Sequence, residues 1–224
     1  MYRYETHFHT SESSPCSRLS AAEGLSLYKA AGYSGVNISD HYDPGFFLRR
    51  TAGLSTFREQ ADAWLKGYRA AKKAGEAMGI SVFLGMELCT EESSNDYLLF
   101  GVTEDFVYDN PRLYEWSMAD VCRLAKRYGI LVFQAHPYRA GLMFTPGVLD
   151  GVEVCNANPR ENSQNHLALA AALEHSLLQS SGSDCHRPED VGRGGIQTDR
   201  PLTTAQQFRD IFLSGSYTLI TPAN

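Results

Sequence analysis

No stretch of this chain is apolar for long enough to span a bilayer, so a membrane-crossing role is excluded from the start. An excess of basic charge is missing as well. Its 20 lysines and arginines stand against 26 acidic residues, for a formal charge of −6. A stable nucleic-acid partner would call for a basic face, and none is implied. Cysteine is present without pairing: Cys16, Cys89, Cys122, Cys155 and Cys185 are odd in number, scattered and free of CxxC spacing. That excludes a disulfide framework and suits a reducing, cytoplasmic compartment. No leader pattern is present either, because charged Arg3 and Glu5 occupy the first turn's worth of sequence. Short repeats, low-complexity tracts and linkers are also missing. The 224 residues suffice for one sizeable core, so residues 1–224 are expected to form a single domain.

What the chain does have is a recurrent strand-then-helix rhythm. Apolar runs ending near Phe8, Ile38, Met86, Val102, Gln134, Val154 and Gly182 read as strands. Between them lie helical patterns. Ser20 with Glu23 forms a capping-box signature for the first helix. Thr56 to Met78 is predicted as one helix, with Phe57, Ala61, Trp64, Leu65 and Tyr68 on its apolar face. Ser117 opens another, Asn165 to Leu178 a further one, and Thr204 to Leu213 the last. Tyr42 to Ser55 reads as a long loop. This alternation predicts an α/β fold with a mainly parallel sheet and helices outside.

Residues of metal-binding type stand at the ends of those strands: His7 and His9, Asp40 and His41, Glu87, His136, then Asp184 and His186. His7 and His9, two apart on a strand, project to one side. Glu87 follows Phe83-Leu84-Gly85-Met86, where an acid is costly without a cation or a hydrogen-bond partner. A carboxylate so placed can bridge two ions. Asp40 is expected to orient a ligand imidazole from behind. His166 and His175 lie in a helical stretch and are read as structural or solvent-facing.

In this order, the HFHT opening, the strand-end Asp-His, the isolated Glu, the His-Pro and the final Gly-Ser-Asp-Cys-His resemble the PHP (polymerase and histidinol phosphatase) family of metal-dependent phosphoesterases. The resemblance spans His7 to His186. It implies a distorted (β/α)7 barrel with two or three divalent ions, Zn, Mn or Fe, at its C-terminal mouth. By that resemblance His7, His9, Glu87 and Asp184 match one ion position, Glu87 with His136 a second, and His41 with His186 a third. The family pattern also places a ligand five or six residues after the second histidine, where this chain has Ser14 and Pro15. Glu12, or behind it Cys16, is expected to substitute; Glu12 ranks ahead because oxygen suits Mn and Fe. The extra histidine that trinuclear members carry after the strand following the Glu motif is absent, since Tyr97 to Thr103 offers none.

The implied reaction is hydrolysis of a small phosphomonoester or phosphodiester by metal-activated hydroxide. Glu87, Asp184 and Arg139 are the expected catalytic residues. Arg18, Arg139 and Arg187 are expected to receive the phosphate, a guanidinium matching two of its oxygens. Phe46, Phe47 and Tyr138 are candidates to stack on a substrate ring. The alternatives are amidohydrolase-like cleavage of an ester, lactone or amide, and a non-catalytic PHP module.

Overall fold

The computed structural model describes residues 1–222. Ten strands form one sheet: β1 (Tyr2–Phe8), β2 (Gly35–Ile38), β3 (His41–Tyr42), β4 (Ser81–Cys89), β5 (Asp96–Phe100), β6 (Leu131–Gln134), β7 (Gly151–Asn156), β8 (Leu178–Gly182), β9 (Gly195–Thr198) and β10 (Thr218–Ile220). The helices are α1 (Ala21–Ala30), α2 (Pro44–Arg50), α3 (Phe57–Trp64), α4 (Lys66–Met78), α5 (Glu104–Asp109), α6 (Met118–Tyr128), α7 (Asn165–Glu174) and α8 (Ala205–Ser214).

Seven strands, in the order β1-β2-β4-β5-β6-β7-β8, make the wall of a nearly closed barrel. The wall is the distorted (β/α)7 arrangement expected, with one inversion. β5 runs antiparallel to both β4 and β6, while the other wall pairings are parallel. β9 and β10 extend the sheet outward from β1 in antiparallel fashion.

Closure comes at a seam between β1 and the segment after β8. Phe8 bridges Cys185, the His9 amide donates to the Cys185 carbonyl at 3.1 Å, and the Cys185 amide donates to the His7 carbonyl at 3.0 Å. The register of β1 slips between Glu5 and Phe8, which frees amides from the ladder. Buried Glu5 collects them: its carboxylate accepts from the amides of Thr6, His7 and Ser183 and from the Tyr28 hydroxyl. Gly182 permits the close approach, since a Cβ there would lie 2.4 Å from that of His7.

An apolar cluster of Tyr4, Phe83, Phe100, Phe133, Phe208 and Phe212 joins the wall to α8 at the end opposite the predicted ligands. Phe83 and Phe208 stack at 4.5 Å between ring centroids. That plug leaves one end of the barrel available for chemistry.

Two helical expectations change. The segment after Tyr42 is not simply a loop, because Asp43 caps α2 by accepting from the Phe46 amide, with Pro44 at the first helical position. The predicted helix from Thr56 to Met78 is two helices that meet at Leu65. Phe46 and Phe47 are buried against Tyr42 and Trp64, so neither is available to stack on a ligand. Among the described residues, no helix is long and apolar enough to cross a membrane.

Candidate metal centre

Seven of the eight predicted ligands converge in three overlapping groups: His7, His9 and Asp184; His7, Glu87 and His136; His9, His41 and His186. Glu87 stands at the middle. Its Oε1 lies 3.1 Å from Nε2 of both His7 and His136, and its Oε2 lies 3.3 Å from His9 Nε2 and 2.9 Å from His41 Nδ1. One carboxylate thus faces four imidazoles, the placement expected of a bridging ligand. Asp184 Oδ1 completes the ring at 3.6 Å from His7 Nε2, 3.4 Å from His9 Nε2 and 3.4 Å from His186 Nδ1.

Hydrogen bonds behind two of the ligands fix which nitrogen His7 and His9 present. Glu153 Oε1 takes His7 Nδ1 at 2.9 Å, which leaves His7 Nε2 as the free lone pair. The Ser14 hydroxyl spends its one proton on Asp40 at 2.6 Å, so it accepts from His9 Nδ1 at 3.3 Å and frees His9 Nε2 in the same way. Asp40 therefore acts on His9 through Ser14. It also accepts from the Thr10 amide and hydroxyl at 2.7 Å each, holding the HFHT turn.

The donor set fits a divalent cation on a physical test. His7 Nε2, His9 Nε2 and Glu87 Oε2, which face one another across the cluster, are buried without a hydrogen-bond partner. Several contacts around Glu87 are close yet misaligned for hydrogen bonding, whereas lone pairs converging on a cation need no such alignment. Buried polar atoms are rarely left so, because each orphan costs about 1–3 kcal/mol. Nitrogen and carboxylate donors together suit Zn, Mn or Fe.

Electrostatics follow the same geometry. Burial opposes ionisation of Glu87, yet His7, His41 and His136 hold its carboxyl well below the usual carboxylate range. Burial likewise works against Asp184, and His7, His9 and His136 bring it well below normal. Burial would lower His7, but Glu87, Glu153 and Asp184 raise it well above an ordinary imidazole. His9 goes the other way, depressed by burial and by His186 and His41.

One predicted ligand does not join the cluster. Glu12 turns away to accept from the Ala21 amide at 3.0 and 3.1 Å, satisfying the head of α1. Cys16 stands at the mouth instead, lining the cavity with His41 and His186. Burial raises its thiol, but hydrogen bonds to His186 and His41 outweigh that and bring it down to about 6. His166 and His175 are exposed on α7 and beyond it, as read.

Three residues at the site carried no expectation. Asp96 lines the mouth, with Oδ2 4.0 Å from His136 Nε2. Because β5 runs backwards, the end of it at the mouth is its beginning, so a search after the strand looks at the wrong end. Glu153 holds both His7 and the His136 amide, the latter at 3.1 Å. Its signal was an acid flanked by Val152 and Val154 in a buried strand. Arg160 also lines the mouth, forked onto Asp190 at 2.5 and 2.7 Å.

Of the predicted anion-binding arginines, Arg139 and Arg187 line the same cavity of about 240 Å³. Arg139 Nη2 bonds Asp184 Oδ2 at 2.7 Å and Asn156 Oδ1 at 3.1 Å, while its buried Nε makes no hydrogen bond and lies 4.0 Å from Glu161 Oε2. Arg18 is not among the lining residues; its side chain is exposed and its backbone amide is tied to the His186 carbonyl. Tyr138 packs on Phe144 at 5.7 Å.

Comparison with known proteins agrees with this architecture. Residues 162–217 match the model of a PHP-associated family. No curated protein matches the sequence. Among solved structures, the fold is similar to a two-domain protein from Bacteroides vulgatus containing a predicted PHP-like metal-dependent phosphoesterase. That match has TM-score 0.67 and 16% identity, and covers 99% of this chain and 65% of that one. PsfC from Pseudomonas syringae matches at TM-score 0.69 and 16% identity, over 100% of this chain and 93% of that one. An amidohydrolase from Chromobacterium violaceum, solved with bound sulfate and no metal, matches at 0.60 and 16%, over 99% and 98%. The chain spans just under two thirds of the Bacteroides protein. The fold is of the PHP type, and the PHP resemblance drawn from the strand-end motifs is met by the family match and by these structures.

Proposed function

We propose that this protein is a metal-dependent hydrolase that cleaves a small phosphomonoester or phosphodiester. The observation that carries the reading is one open mouth lined by both parts of the required machinery. Glu87, Asp184, His41, His136 and His186 line it together with Arg139, Arg160 and Arg187. Ions held by the clustered side chains would polarise a phosphoryl oxygen and make water acidic enough to attack near neutral pH.

The chain's own residues then have distinct tasks. Glu87 and Asp184 stay ionised and hold negative charge against the imidazoles. Arg139 is anchored by Asp184 and Asn156 and sets its positive charge at the mouth, beside the place an incoming anion would take. Arg187, at the rim, offers further donors. Asn156, through Nδ2, ties Glu153 to Asp184 at 2.9 and 3.3 Å and keeps both carboxylates in register. The cavity's modest volume favours a small substrate or the terminal phosphate of a larger one.

The test is elemental analysis of purified protein together with turnover of p-nitrophenyl phosphate and its diester, before and after chelation. Bound divalent ions with chelator-sensitive release of nitrophenol support the reading. Turnover of lactones or amides with none of phosphate esters would replace it with the amidohydrolase-like reaction.

A further inference from the structure

The three arginines that line the mouth are held in different ways. Arg139 is tied to Asp184, beside the ligand cluster, which suits it to the phosphate under attack. Arg160 and Arg187 belong to a second construction, built around Asp190. Pro188–Asp190 make a single tight turn, and Asp190 is fully buried. Its carboxylate receives the Arg160 fork on both oxygens, and one of those oxygens also accepts the amides of His186 and Arg187 at 2.9 Å each. On the other side, the Arg160 amide donates to Asn158 Oδ1 at 3.1 Å, and Asn158 Nδ2 donates to the Asp184 carbonyl at 3.1 Å. Arg160 is thereby fixed, by side chain and by backbone, to the segment that carries Asp184 and His186.

One buried acid cannot balance two guanidinium groups. Asp190 neutralises Arg160, and the surplus positive charge is left to Glu189. Glu189 Oε1 lies 3.8 Å from Arg160 Nη1 and 3.9 Å from Arg187 Nη1, nearly equidistant and too far to hydrogen-bond either. Among the described residues, Glu189 is the one acidic partner of the Arg187 guanidinium. Its side chain is 58% exposed and is not one of those lining the cavity. A carboxylate oxygen of the chain itself thus marks a place where an anion sits beside two arginines. It is held loosely enough to be replaced.

We propose that Arg160 and Arg187 form a second anion subsite, and that the substrate is a small phosphate ester whose further anionic group, carboxylate or phosphate, displaces Glu189 there. The proposal rests on the phosphoesterase reading above and narrows its substrate. A planar guanidinium anchored on one edge by Asp190 keeps its remaining donors in a fixed direction, so little ordering is lost when an anion arrives. Glu189 swings into solvent as the anion enters. Esters with a neutral tail leave Glu189 in place and gain nothing from the pair.

The test measures release of inorganic phosphate by the manganese-loaded protein from matched esters: 3-hydroxypropyl phosphate, 3-phosphooxypropanoate and propane-1,3-diyl bisphosphate, with their longer homologues. The expected result is a kcat/KM at least about tenfold higher for an anion-tailed ester than for its hydroxyl partner. Arg160→Gln should remove that preference, and the two kinds of tail separate carboxylate from phosphate. Because Arg160→Gln strands the buried Asp190 charge and endangers the fold, Glu189→Gln supplies an independent reading at an exposed position. It should leave the hydroxyl esters unchanged and lower KM for anion-tailed ones by about two- to fivefold, the worth of one exposed ion pair. Equal turnover of tailed and hydroxyl esters at every length overturns the subsite while the phosphoesterase stands. So does a preference that survives in folded Arg160→Gln, or a Glu189→Gln variant that shifts both kinds of ester alike or neither. No phosphate release from any of these esters or from p-nitrophenyl phosphate overturns both readings.

Discussion

His136 and Asp184 hold positive φ angles of 30° and 47°. Such backbone costs about 1–3 kcal/mol per residue and persists only where the surroundings enforce it. For His136 the cost is compounded by Pro137, which disfavours a compact conformation in the residue before it. The enforcing contact is Glu153, whose Oε2 takes the His136 amide while Oε1 takes the His7 ring. Glu153→Gln should therefore weaken ion binding by about 10–100-fold, read by titration against a chromophoric chelator. His9→Ala removes a lone pair shared by two ligand groups and should abolish turnover while circular dichroism stays native; retained turnover would refute the assigned centre. A pH dependence follows from the same atoms. His7 and His41 are raised well above an ordinary imidazole, so they keep their protons to higher pH, and an entering cation must displace them. Glu87 and Asp184 are depressed and stay ionised. Ion affinity should accordingly rise with pH through neutrality and keep rising above the ordinary imidazole range, and fall on acidification. Affinity flat through neutrality would contradict the assignment.

Helix α4 shows how an element can serve the site without contributing a ligand. At Gly67 a Cβ would lie 2.0 Å from Thr10 Oγ1 and 2.5 Å from Asp40 Oδ2. The helix thus presses backbone against the network that orients His9. Gly67→Ala should destabilise the fold by about 1–3 kcal/mol, measured by urea denaturation, and loosen ion binding with it. Legibility in the sequence divides at this scale. Strand ends were readable because a parallel wall gathers them at one mouth, which is why His7, His9, His41, Glu87, His136, Asp184 and His186 could be named together. Strand direction was not readable. Nothing in Asp96 to Phe100 announces that β5 runs backwards, so Asp96 was missed. Side-chain choice on a loop was equally hidden: Glu12 and Cys16 lie in one short segment, and only the folded turn decides that the acid caps α1 while the thiol faces the histidines. The break between α3 and α4 was invisible because both helices share a continuous apolar stripe.

Across the whole molecule, the ligands straddle the seam that closes the barrel. His7 and His9 lie on one side of it, and Asp184 and His186 on the other, joined by few backbone hydrogen bonds. An ion held across that gap ties the two edges together. Ion at 100 times its dissociation constant should stabilise the fold by about 2.7 kcal/mol. For a chain of this size that is a rise of about 5–10 °C in Tm. Hydrogen exchange at the His9 and Cys185 amides should slow more than at β5, far from the seam; equal slowing everywhere would argue against a seam-spanning ion. The same arrangement sets an order of events during synthesis. The ribosome releases the HFHT pair long before Asp184 and His186 exist, so the young chain carries two exposed imidazoles and no pocket to shield them. Metal acquired then would be held weakly and exchanged freely. The complete set of ligands exists only once the final wall strand has emerged and docked.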